Sequence, residues 1–122
     1  MDKRDLEHVV EREKKLGYTG FIFRGNGQPG NDTPAALALR RSQLLQADLE
    51  TLGKIEKLMQ TNFKTGGHSY WLKHRVEEAI GEYVSNGELI AVCLHLGFSY
   101  LSDGPNCRLF YEGACRPRRR LT

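Results

Sequence analysis

The chain has 122 residues, 39% apolar, 9% aromatic and 27% charged, with a formal net charge of +3; this is the make-up of an ordinary folded domain, and the positive excess is too small to argue by itself for a polyanionic partner. Such a length buries roughly two thirds of the unfolded surface, enough for one core and too little for two, which excludes a large multidomain enzyme. No apolar run approaches the ~20 residues of a membrane helix, and the charged start Met1-Asp2-Lys3-Arg4-Asp5 is unlike a secretory leader, so a cytoplasmic protein with no membrane partner is expected.

Residues 2–16 read as an amphipathic helix, with Leu6, Val9, Val10 and Leu16 at helical spacing and Gly17 as its stop. Tyr18 to Phe23 suits a short strand, and Gly25-Asn26-Gly27-Gln28-Pro29-Gly30-Asn31-Asp32 is turn chemistry, placing a hinge at 24–33. Thr33 before Pro34 starts a helix well, a hydroxyl acceptor at the cap and a proline where its missing donor does no harm. From there the pattern predicts one long central helix to about Gln60, striped by Leu44, Leu45, Leu49, Leu52, Ile55, Leu58 and Met59 and interrupted by Gly53. That stripe suits core packing or, less well, a homodimer through residues 44–59.

Thr65-Gly66-Gly67-His68-Ser69 breaks the pattern, and Leu72, Val76, Ala79, Ile80 and Tyr83 mark the next helix. Ser85-Asn86-Gly87-Glu88 matches a capping box, in which serine and glutamate each bond the other's amide. Leu89 to Leu96 is apolar apart from His95, which predicts a buried helix, ended by Gly97 in a left-handed cap with Phe98 as its clasp. Residues 98–102 and 107–111 then form a β-hairpin around a four-residue loop, Asp103-Gly104-Pro105-Asn106. The class is therefore α+β, mainly helical: one domain over 1–115, with a long central helix, two further helices and a C-terminal hairpin in a winged-helix-like outline, followed by a disordered basic tail at 116–122.

Gly25 to Gly30 spells G-x-G-x-x-G, but Asp32 and the helix start at Pro34 follow the glycines, so no helix N-terminus would meet a pyrophosphate and no cofactor is expected. His8, His68, His74 and His95 form no pair at ligand spacing, and Cys93, Cys107 and Cys115 are an odd set without zinc-knuckle spacing, best read as reduced thiols. Whether Cys107 and Cys115 pair stays open at this level. No catalytic or metal site is expected.

Binding chemistry is concentrated elsewhere. Tyr70 and Trp71 beside Lys73, His74 and Arg75 mix aromatics with cations near a helix start, a composition that serves phosphate, base or protein contact, although the rings serve a core equally well. The net positive charge is terminal: Arg108, Arg116, Arg118, Arg119 and Arg120 are offset after residue 103 by Glu112 alone, leaving the body near neutral. Such a tail makes salt-sensitive, sequence-independent contact with nucleic acid, or is simply solvated.

The run Ser69-Tyr70-Trp71-Leu72-Lys73-His74, with Tyr83-Val84-Ser85-Asn86-Gly87-Glu88-Leu89-Ile90-Ala91 and Gly104-Pro105-Asn106, resembles a pattern in small uncharacterised proteins of bacterial phages, plasmids and other mobile elements, over residues 69–110. The resemblance implies an accessory or anti-defence role and no catalytic residue. The expected function is thus a non-catalytic binding protein acting on a protein or ribonucleoprotein partner. The alternatives are a winged-helix-like DNA-binding regulator and a small enzyme built on His68, His74 and a carboxylate.

Overall fold

The computed structural model describes residues 1–22 and 33–111, so the glycine-rich hinge and the arginine tail lie outside the described residues. In chain order the elements are α1 (Lys3–Arg12), β1 (Leu16–Gly17), β2 (Gly20–Phe21), α2 (Pro34–Leu45), α3 (Leu49–Gln60), β3 (Gly67–His68), α4 (Ser69–Ile80), α5 (Asn86–His95), β4 (Phe98–Asp103) and β5 (Asn106–Tyr111). The mainly helical α+β class is as expected. Among the described residues no helix is long and apolar enough to cross a membrane.

The expected long helix is two helices. Asp48 caps α3, its carboxylate accepting from the Glu50 amide at 3.2 Å, while the Lys3 ammonium takes the Leu45 carbonyl at the end of α2. The apolar stripe runs through the break because both helices face the same core. Leu44, Leu52, Ile55 and Met59 of the stripe are buried there, Leu45 and Leu58 are half-buried and Leu49 is exposed, so most of the stripe packs into the core.

The first helix is shorter than its periodicity suggests, and the reason lies 28 residues away. The Arg41 guanidinium donates to the carbonyls of Val10 and Glu13, both at 2.7 Å, and more weakly to Leu16 at 3.4 Å. Val10 lies in the last turn of α1, whose carbonyls have no amide four residues on within the helix, and Glu13 is its C-cap and also accepts from the Leu16 amide at 3.1 Å; a cation at this end is favoured by the helix dipole as well. Leu16 then enters the core from β1 instead.

The core is organised around α5. Both halves of the Ser85–Glu88 capping box are present, at 3.0 and 2.7 Å, and Gly97 adopts the expected left-handed conformation (φ +98) with Phe98 buried behind it. Every residue from Asn86 to Cys93 is buried, and the helix packs against α1, α3, α4, β2, β4 and β5. The structural centre is thus α5, not the 34–60 segment. The order helix, turn, helix, hairpin survives, but the second helix of that outline sits inside the protein.

Two small sheets flank this helix. The hairpin β1–β2 is tied to α2 by the Tyr18 amide on the Arg40 carbonyl and to α5 by the Gly87 amide on the Tyr18 carbonyl, both at 2.9 Å. The other sheet is antiparallel in the order β3-β5-β4. Asp103 pairs with Asn106, so the connection is a two-residue Gly104-Pro105 turn with Gly104 at φ +65, tighter than the expected four-residue loop. The two-residue strand β3 occupies the glycine-rich stretch read as a simple break.

Close backbone approach fixes where α5 begins. A Cβ on Gly87 would lie 2.0 Å from the Gly17 carbonyl oxygen and 2.7 Å from that of Tyr18. Gly53, by contrast, is in mid-helix, exposed, with nothing within 4 Å of its would-be Cβ. Two glycine-to-alanine changes should therefore move stability in opposite directions in urea unfolding: Gly87→Ala lowers it by ~3 kcal/mol or more, and Gly53→Ala raises it by about 0.5–1 kcal/mol.

Candidate partner-binding surface

Helix α4 starts directly after β3, with His68 at its N-cap and Gly81 in a left-handed conformation (φ +73) closing it. Leu72 and Val76 point into the core, and Ser69 is buried as well, its hydroxyl accepting the Cys107 amide at 3.0 Å. Residues three and four apart share a helix face, so burial of Leu72 and Val76 turns positions 70, 71, 74, 75 and 78 outward.

On that outer face Tyr70 is 56% and Trp71 51% exposed, and His74, Arg75 and Glu78 are exposed too. Three i,i+4 pairs run side by side along it. The His74 ring meets the Tyr70 ring edge-on at 4.5 Å, the Arg75 guanidinium lies 5.3 Å from the Trp71 ring centre, and Lys73 bridges to Glu77 at 3.3 Å. Lys73 is only half-buried and also lies 4.8 Å from the centre of the Tyr83 ring. Burial of Glu77 disfavours its charge, but the Val84 amide, Lys73 and His74 outweigh that and hold the carboxyl below its ordinary range.

Arg108 is exposed on β5, in register with His68 on one side and with Leu101 on the other, which brings it to the N-terminal end of α4. Arg116, Arg118, Arg119 and Arg120 lie outside the described residues, as does the G-x-G-x-x-G loop. The structure therefore joins Tyr70, Trp71, Lys73, His74 and Arg75 on one helix with Arg108 beside its start. Sequence reading placed Tyr83 on the apolar pattern of this helix; it lies instead beyond the helix end at Ile80, 63% exposed, because the left-handed Gly81 turns the chain away, and there it receives Lys73.

The histidines do not converge. His68 meets Asp103 at 2.8 Å, His74 meets Glu77 at 3.1 Å, and His95 stands between Asp5 and Glu56 at 3.8 and 3.7 Å. Among the described residues no group of three His, Cys, Asp or Glu side chains could hold a metal ion. Tyr100 donates to Glu13 at 2.8 Å and stacks on Phe21; its phenol is pushed up to about 12, first by burial and then by Glu13, so it remains a protonated donor.

Among the described residues Cys93 and Cys107 are buried and unbridged, while Cys115, and with it the question of a Cys107–Cys115 pair, lies outside them. Burial raises Cys93, and burial pushes Cys107 up to about 12 despite the opposing bond with Ser69. No family model, curated protein or solved structure matches the chain.

A thiol titrating near 12 is thiolate to only about one part in ten thousand at pH 8, and the thiolate is the nucleophile. Brief iodoacetamide treatment of the folded protein at pH 8, followed by peptide mass mapping, should leave Cys93 and Cys107 unmodified, whereas both react in urea. Rapid native labelling of Cys107 would reopen covalent chemistry at the Ser69–Cys107 junction.

Proposed function

We propose that this is a non-catalytic binding protein that docks a protein or ribonucleoprotein partner through the outer face of α4, as an accessory or anti-defence protein of a mobile element would. The observation that carries the reading is the pair Tyr70 and Trp71, large rings more than half exposed at adjacent positions, with Arg75 over one of them. Tyrosine, tryptophan and arginine are the residues that most often dominate binding energy at protein interfaces. The mobile-element setting rests on the resemblance of residues 69–110 and on nothing else.

Charge favours a protein surface over a duplex groove. Helix α4 carries Lys73 and Arg75 against Glu77 and Glu78, and so has no net charge. Nucleic-acid affinity rests on cations that neutralise phosphates, and Glu78 lies on the same outer face as Trp71 and Arg75. The helix that a winged-helix regulator would insert into a groove is α5, whose buried side chains have no access to base edges. A partner protein that covers the rings and pairs with both signs of charge fits α4 better.

Trp71 is the sole tryptophan, so its emission reports directly on this face. The full chain and a Trp71→Ala/Arg75→Glu variant, matched for melting temperature, are compared as baits in bacterial lysate with and without nuclease. The expected outcome is a nuclease-resistant protein partner, whose purified form changes Trp71 emission and binds the variant at least ~30-fold more weakly, the cost of one interface anchor of about 2 kcal/mol. Recovery of nucleic acid alone, or a variant that retains its partner, refutes the reading.

A further inference from the structure

A second site lies where the α2–α3 joint faces the α4–α5 turn. There a cleft of about 440 Å³ has Tyr18, Asp48, Thr51, Tyr83 and Glu88 in its walls, and it shares no residue with the outer face of α4.

Its chemistry is one-sided. Glu88 is 94% buried by its 6% exposure, and its Oε1 accepts the Ser85 amide at 2.7 Å. The other oxygen, Oε2, meets no hydrogen-bond donor among the described residues, yet it is not sealed off from solvent, and Glu88 is a wall of the cleft. Thr51 has a single hydroxyl proton but stands 3.2 Å from Asp48 Oδ2 and 2.8 Å from Glu82 Oε1, so it serves one carboxylate at a time. Among the described residues no lysine or arginine is a wall of the cleft. Lys54 is engaged on Glu82 and Lys73 on Glu77, and the Arg40 guanidinium stands just outside the walls, donating to Gln43 at 3.1 Å. The charged side chains of the walls themselves are the carboxylates of Asp48 and Glu88, beside the amides of Gln43 and Gln46.

Two aromatic rings complete it. Tyr83 is 63% exposed and already receives the Lys73 ammonium at 4.8 Å from its centre, so the ring takes part in a cation contact. Burial, and then the charge of Glu88, raise the Tyr18 phenol, which stays neutral and electron-rich. Carboxylates alone would suit any cation. Carboxylates beside tyrosine rings favour a planar cation that donates several hydrogen bonds in one plane and stacks on a ring, and that cation is a guanidinium rather than an ammonium.

We propose that this cleft is a guanidinium-binding site, its buried carboxylate Glu88 and the cap carboxylate Asp48 facing the charge and Tyr18 and Tyr83 supplying the ring contacts. The guanidinium has two possible sources, an arginine of the chain's own segment Arg116–Arg120 or an arginine of another molecule.

The structure also supplies a variant that removes charge without removing the caps. Asparagine caps a helix as well as aspartate does, and glutamine replaces glutamate in a capping box. Asp48→Asn/Glu88→Gln should therefore melt within about 3 °C of the parent. The full chain is titrated with L-argininamide while the ring protons of Tyr18 and Tyr83 are followed by NMR. The same titration is run on a form in which Arg116, Arg118, Arg119 and Arg120 are all glutamine.

Saturable shifts of both rings are expected in at least one of the two forms, weakened about tenfold or more by Asp48→Asn/Glu88→Gln. Tighter binding in the tail-neutral form identifies the chain's own arginines as the native occupant; equal binding in both identifies an external arginine. Tyr83→Leu, which removes an exposed ring, should weaken binding as well and keeps the test informative if the double variant does not fold. The proposal is overturned if neither form shows saturable shifts up to about 50 mM argininamide, a range that covers millimolar affinity. It is equally overturned if the charge-removing and ring-removing variants bind as the parent does.

Discussion

The arrangement depends on one contact, the seating of the α5 N-terminus against the β1–β2 turn. A helix as apolar as Leu89-Ile90-Ala91-Val92-Cys93 has to be covered on every side, and each of its larger side chains contributes ~1.5–3 kcal/mol by leaving water. Caps are worth only about 1 kcal/mol each, so they do not hold α5 in place. They decide where it starts. A buried amide left unpaired costs ~1–3 kcal/mol, and the first turn of α5 avoids that cost by giving the Glu88 amide to Ser85 and the Gly87 amide to the Tyr18 carbonyl. The second of these bonds needs a residue without a Cβ. Around that point the Asn86 amide nitrogen reaches the Pro105 carbonyl at 3.1 Å, and the Phe21 amide takes the same oxygen at 2.9 Å, so the turn of the large hairpin is fixed by the same junction.

Sequence made some of these features plain and hid others, for physical reasons. The Thr33-Pro34 start, the Ser85–Glu88 box, the Gly97 stop and the β4–β5 hairpin were legible because each is a contact between residues a few positions apart. The break at Gln46-Ala47-Asp48 was hidden because a change of helix direction leaves the apolar stripe intact when both halves serve one core. The early end of α1 was hidden because its carbonyls are claimed by Arg41, from a different helix. Strands of two residues, as in β1, β2 and β3, are too short to show an alternating pattern.

The two candidate sites divide along the same line. The α4 residues were identifiable by type, but their exposure was not, since aromatic rings on a helix suit a core as well as a surface; Leu72 and Val76 decide the matter by taking the inward face. The cleft had no signature. Asp48 and Glu88 are both caps in the local reading, and only the folded chain places them in one wall system with Tyr18 and Tyr83. A residue with a sufficient local role can still present its remaining atoms to a shared space.

The paired geometry of α4 bears on how its rings persist in water. An i,i+4 pair on an isolated helix is worth ~0.2–0.5 kcal/mol, so Tyr70–His74, Trp71–Arg75 and Lys73–Glu77 together offset little of the cost of exposing two large aromatics. Their greater effect is on freedom of movement. A ring already flanked by its neighbour loses less rotamer entropy when a partner covers it, and ordering a free side chain at an interface costs ~0.5–1.5 kcal/mol. The exposed face is thus weakly held for folding, and in the proposed docking role its rings are partly ordered beforehand. Substituting it should change binding by far more than it changes stability, a separation of magnitudes that distinguishes a docking surface from a helix that merely decorates its outer side.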